Sequence, residues 1–132
     1  SIGISYTQRN IAILNMMQRN VAPLIYPTEG VYKKPAPLII HYESIYEVAL
    51  EGSSVESSFT VKQRIRETVH TILDTWAKHG YIAKWDSIKE RRSYVAVRIF
   101  FPNKQPTPPP PVHFDILPNR IAEKSEVPEE DE

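Results

Sequence analysis

The stretch that most constrains the fold runs from Thr60 to Phe101. It opens with TVKQRIRETVHTILDTWAKHG, in which Val61, Ile65, Val69, Ile72, Leu73 and Trp76 recur at steps of four, four, three, one and three. That period lays one apolar stripe along a helix. Thr60 is placed to cap the helix start, Lys78 and His79 sit where a cation favours the negative end of the helix dipole, and Gly80 is the residue type that closes helices. About 19 helical residues would span roughly 28 Å. Two β-rich runs follow, Tyr81 to Trp85 and Tyr94 to Phe101. The second alternates, with Val95, Val97, Ile99 and Phe101 on one face and Tyr94, Ala96, Arg98 and Phe100 on the other. DSIKERRS between them is too long for a two-residue turn and carries Lys89, Arg91 and Arg92. The expected centre of the molecule is therefore a helix feeding a β-hairpin with a basic tip.

The preceding residues supply supporting elements. Thr7 is a candidate cap for a helix from about Gln8 to Asn20, with Ile11, Leu14, Met17 and Val21 on one stripe that Ile13 and Met16 widen. Asn20, Pro23, Pro27 and Gly30 break helical continuity, so YPTEGVYKKPAP is read as a loop. Leu38 to Tyr42 (LIIHY) is a short strand suited to the first position of a three-stranded sheet. Ile45, Tyr46, Val48, Ala49 and Leu50 suggest a two-turn helix closed by Gly52, and Ser53, Ser54, Ser57 and Ser58 mark a turn.

With 132 residues, one core is expected rather than two,. Domain boundaries are placed at 1–102 for the folded unit and 103–132 for a proline-rich and acidic tail containing four consecutive prolines,. Net charge is zero, yet residues 1–105 carry 14 Lys/Arg against 9 Asp/Glu, whereas residues 106–132 carry 2 against 7. Such a split points to a basic interaction surface with an acidic tail; an ordinary solvated surface is the plain alternative. An acidic end that folds back and competes for the basic face is a further expectation. The absence of cysteine excludes disulfides, thiolate zinc sites and thiol nucleophiles,. His41, His70, His79 and His113 have no metal-binding spacing, and neither a glycine-rich phosphate loop nor a nucleophile elbow is present. His41 and Glu43 would share a strand face, but a structural histidine is the favoured reading. Neither an enzyme nor a cofactor or metal is expected. The apolar runs are too short for a signal peptide or membrane span, and a cytoplasmic or nucleoid-associated location is expected.

The order helix, strand, helix, helix, strand, basic loop, strand is that of an α+β winged helix. TVHTILDTWAKHGYIAKW followed by RRSYVAVRIFF resembles the winged-helix domains of plasmid and mobile-element replication initiators, over about a third of the chain. Transcription regulators of the same fold share the pattern. The resemblance implies double-stranded DNA as partner, with the third helix in the major groove and the basic hairpin, or wing, on the backbone or minor groove. Gln63, Arg64 and Glu67 are the candidates for base edges, Lys62 and Arg66 for base or phosphate, and Lys89, Arg91 and Arg92 for the wing contact. Lys33 and Lys34 could add a backbone contact, although a solvated connector explains them as well. Trp85 and Tyr94 are read as core or strand-pairing residues before base-stacking ones. A second copy of the chain is a further expected partner, with Met16 and Met17 as a surface that core packing explains equally. The rival class is a protein-interaction winged helix, in which residues 106–118, including Val112, Phe114, Ile116 and Leu117, dock on a partner.

Overall fold

The computed structural model describes residues 6–51, 58–109 and 111–112. They form three helices and a three-stranded antiparallel sheet, in the order α1 (Tyr6–Ile25), β1 (Leu38–His41), α2 (Tyr42–Ala49), α3 (Phe59–Lys78), β2 (Lys84–Glu90) and β3 (Ser93–Phe100). The architecture is α+β and compatible with a winged-helix-like arrangement. The longest strand is central: β3 pairs with β1 on one side and β2 on the other.

Helix α3 buries Ile65, Thr68, Val69, Ile72, Leu73 and Trp76, so the stripe legible in the sequence is the core face, with Val61 at its margin. Its cap is Ser58 rather than Thr60: the Ser58 hydroxyl accepts from the Val61 amide at 3.2 Å, and the Ser58 carbonyl accepts from Lys62 N–H at 3.0 Å. At the other end Gly80 has φ +78°, the left-handed conformation. The Gly80 amide donates to the Ala77 carbonyl and the Tyr81 amide to the Trp76 carbonyl, which satisfies two carbonyls of the final turn,. This reversal seats Tyr81 edge-on against Trp76, ring centroids 5.1 Å apart, and both side chains are fully buried. Tyr81 and Ile82 are thus core residues of the turn, and β2 starts later than the sequence suggests.

Helix α1 is longer than expected. Thr7 lies inside it, and the helix runs through Asn20 and Pro23 to Ile25. Asn20 donates its amide to the Met16 carbonyl one turn back, so it supports the helix instead of ending it. Pro23 lies in the last turn and removes one N–H; an interior proline costs about 3 kcal/mol. Val21 and Ile25 are both fully buried there, and two such side chains gain about 1.5–3 kcal/mol each, enough to offset that cost. Met16 and Met17 are also core residues and offer no surface to a second copy. Asn10 and Thr68 form the buried polar contact between α1 and α3, Thr68 Oγ1 donating to Asn10 Oδ1 at 3.0 Å.

The short strand ends at His41, and Tyr42 begins α2, so His41 and Glu43 do not share a strand face. Gly52 and Ser53, Ser54 and Ser57 lie outside the described residues. The loop after α1 is fixed by Tyr32, whose hydroxyl donates to the Pro102 carbonyl at 2.6 Å. The chain beyond β3 continues along the domain: Gln105 donates to the Ile25 carbonyl at 2.8 Å, and Val112 packs against the core. Phe114, Ile116, Leu117 and the acidic end lie outside the described residues.

Gly80→Ala should destabilise the fold by about 1 kcal/mol, because a Cβ there meets no atom within 4 Å and only the left-handed backbone opposes it,. Gly80→Asn should cost less. Chemical denaturation of both variants checks this.

Candidate functional site

Hairpin β2–β3 is longer and tighter than its sequence suggests. Ser87, Ile88, Lys89 and Glu90 are strand, Glu90 pairs with Ser93, and only Arg91 and Arg92 form the turn. Arg91 has φ +58°, a conformation that two-residue hairpin turns usually give to glycine or asparagine,. Near the tip, Ile88 opposes Ala96 but Lys89 opposes Tyr94. Val95 is therefore the extra residue of a β-bulge, and a bulge changes which face the next side chains occupy. Tyr94 leaves the face of Ala96, Arg98 and Phe100 and turns toward α3, where Arg66 stands 6.0 Å and Lys89 4.8 Å from its ring. The outer face keeps Arg98, which grips Asp86 through two hydrogen bonds of 3.1 and 2.9 Å and holds that carboxyl below its usual range.

The hairpin, the first half of α3 and the start of α2 enclose a groove of about 1180 Å³. Helix α3 contributes Phe59, Lys62, Gln63, Arg66, Glu67 and His70; α2 contributes Tyr42, Glu43 and Tyr46; the hairpin contributes Trp85, Glu90, Arg92 and Tyr94. Arg66 is held, not free: its Nη1 donates to the Tyr46 hydroxyl at 2.8 Å. Lys62 lies 5.2 Å from the Tyr46 ring, and Tyr46 stacks on Tyr42. Below them, Tyr42 Oη lies 3.0 Å from His70 Nε2. Burial raises the Tyr42 pKa and lowers that of His70, so the contact joins a protonated phenol to a neutral ring, and the ring's tautomer sets which of the two donates. Arg66 pushes His70 in the same direction as burial, and Asp74 opposes it. The His70 ring also packs at a tilt against Trp85, centroids 4.8 Å apart, and the Trp85 indole donates to Asp74 at 2.9 Å.

Of the residues singled out in the sequence, Lys62, Gln63, Arg66, Glu67 and Arg92 come together on this groove. Lys89 and Arg91 adjoin it on the hairpin. Arg64 does not line it: it is exposed and lies one turn before Thr68, on the side of α3 that meets Asn10 of α1,. Lys33 and Lys34 are exposed on the loop that Tyr32 ties to Pro102, beyond the end of β3 away from the tip. An eight-residue strand spans roughly 25 Å, so they belong to a different surface,. Sequence reasoning missed Tyr42, Tyr46, Phe59, His70 and the turned Tyr94. Spacing of four between Tyr42 and Tyr46 was a usable signal for one helix face; nothing in the sequence marks the bulge. Glu90 was legible as a residue that partly neutralises the wing's cations; Glu43, which also lines the groove, was not. Among the described residues, no group of three or more His, Asp or Glu could hold a metal, and no helix is long and apolar enough to cross a membrane.

Because His70 is neutral in the fold and binds a proton more readily when unfolded, acidification should favour unfolding. The loss begins as pH falls through the ordinary histidine value and continues to the depressed one in the fold. Urea midpoints should therefore fall from pH 7.5 to pH 5, and by less in His70→Gln. No protein-family model, curated protein or solved structure matches the chain, so its function must be argued from this groove and hairpin.

Proposed function

We propose that the chain is a winged-helix domain that binds double-stranded DNA, serving replication initiation or transcription regulation as in the plasmid and mobile-element initiators it resembles. The observation that carries this reading is the hairpin tip. Two arginines form a two-residue turn and one of them adopts a left-handed backbone, which costs a non-glycine residue about 1–2 kcal/mol. Both are exposed, so no packing compensates for that cost. A phosphate contact would, since Arg presents paired donors to phosphate oxygens. In this reading the start of α3 enters the major groove with Gln63 and Glu67 outward, while Lys62 and Arg66 sit behind them against Tyr46.

The competing reading is a protein-interaction domain. One observation favours it: Glu43, Glu67 and Glu90 line the same groove as Lys62, Arg66 and Arg92, and such a mixed surface is less suited to a phosphate backbone than to a peptide.

Salt dependence separates the two. Duplex affinity should fall linearly with salt on logarithmic axes, and replacing Arg91 and Arg92 by Ala should flatten that slope by roughly two units. Arg91→Gly should weaken duplex binding while stabilising the fold by about 1 kcal/mol, since it removes both the cation and the strain. Titration of labelled duplexes, with denaturation of the same variants, reads both effects; salt-independent or absent duplex binding would leave the protein-interaction reading.

A further inference from the structure

We propose that the groove between α3 and the hairpin holds an unpaired nucleotide, so that the domain binds single-stranded or locally opened DNA as well as duplex. The proposal rests on the DNA-binding reading above and assigns the groove a ligand of its own. Three features carry it. First, the bulge at Val95 turns Tyr94 from the sheet's outer face into the groove, yet the side chain remains 46% exposed. Phe59, the first residue of α3, lines the same groove and is 74% exposed. Two aromatic side chains are thus displayed on one concavity without being used for packing, and any base can stack on such rings.

Second, Lys89 and Arg66 stand within cation–π reach of the Tyr94 ring, at 4.8 and 6.0 Å,. A base stacked on that ring would bring its flanking phosphates close to these cations. Interleaved aromatic and basic residues are the pattern of single-strand binding surfaces.

Third, the carboxylates become useful. Glu67 and Glu90 would repel a phosphate ridge, but together with Gln63 they can pair with the polar edge of an extruded base, which an intact duplex keeps hidden. At about 1180 Å³, the groove exceeds the ~300–1,000 Å³ typical of small-ligand sites, which leaves room for a nucleotide and part of its neighbours.

The test compares a mixed-sequence single strand, the same strand with abasic sites in place of its bases, and the matching duplex, each labelled and titrated with the whole chain. A single strand carrying 2-aminopurine reports stacking by quenching. Tyr94→Ala should weaken single-strand binding about tenfold, abolish quenching, and leave duplex affinity within about twofold; Tyr94→Phe, which keeps the ring, should behave as the parent. Phe59→Ala provides a second, independent variant, and because both residues are exposed these variants should keep the fold. The abasic strand should bind more weakly than the intact one. Equal affinity for intact and abasic strands, or no effect of Tyr94→Ala and Phe59→Ala, would overturn the groove assignment while leaving duplex binding standing. Single-strand binding that depends on Tyr94, without duplex binding, would support the groove and remove the duplex reading. Binding of neither form would overturn both.

Discussion

The left-handed turn at Gly80 is the constraint on which the rest depends. It lets one continuous segment build two opposing walls: α3 stops, Tyr81 folds back edge-on against Trp76, and the chain leaves as β2 beside the helix it has just completed. Tyr81 then does more than fill space. Its hydroxyl donates to Gln18 of α1 at 3.0 Å, and burial, with Tyr26 nearby, raises its pKa to about 12, so the donor persists across the ordinary pH range. One corner thereby links α1, α3 and the hairpin. The groove lies between these two walls, lined by the first half of α3 and by the hairpin up to its tip.

Helix α3 divides its circumference among three tasks. The stripe from Ile65 to Trp76 faces the core, the Thr68 side meets Asn10 of α1, and the side of Lys62, Arg66 and His70 is left for the groove. Arg64 falls on the α1 side for this reason, although its chemistry is no different from that of Arg66. Tyr42 and Tyr46, held against the core by α2, fix Arg66 and His70 from below. A cation held by a phenol hydroxyl loses little further freedom when it meets an anion.

How much was legible follows from which interactions are local. The period of α3, the alternation of β3 from Ala96 onward and the order of the elements are written in spacing, and all three appear in the structure. What escaped depends on contacts between distant residues. Pro23 reads as a helix breaker until Val21 and Ile25 are known to be buried together; Ser58 and Thr60 are chemically equal caps until Phe59 adopts helical backbone. DSIKERRS reads as a loop because its charges hide its pairing with β3, where Asp86 faces Arg98 and Lys89 faces Tyr94. For the site, the cations of α3 and the hairpin were readable as residue types. Their aromatic partners were not, since Tyr42, Tyr46 and Tyr94 are separated from one another or from Arg66 by turns of chain that only the fold closes.

Charge is arranged differently on the two parts of this surface, and that has a physical consequence. At the tip, Lys89, Arg91 and Arg92 face a single carboxylate, Glu90, and all four residues are exposed. In the groove, Glu43 and Glu67 balance Lys62 and Arg66, while Asp86 is engaged by Arg98 on the outer face of the hairpin. Exposed charges are screened beyond about 8 Å at physiological ionic strength, so the tip acts on nearby phosphates and fades as salt rises. Stacking on Tyr94 carries no such dependence, because it exchanges apolar surface rather than counterions. The phosphates flanking a stacked base still meet Lys89 and Arg66, so single-strand binding weakens with salt as well; the part of it that salt leaves in place is the stacking on Tyr94, which the tip's hold on duplex lacks,.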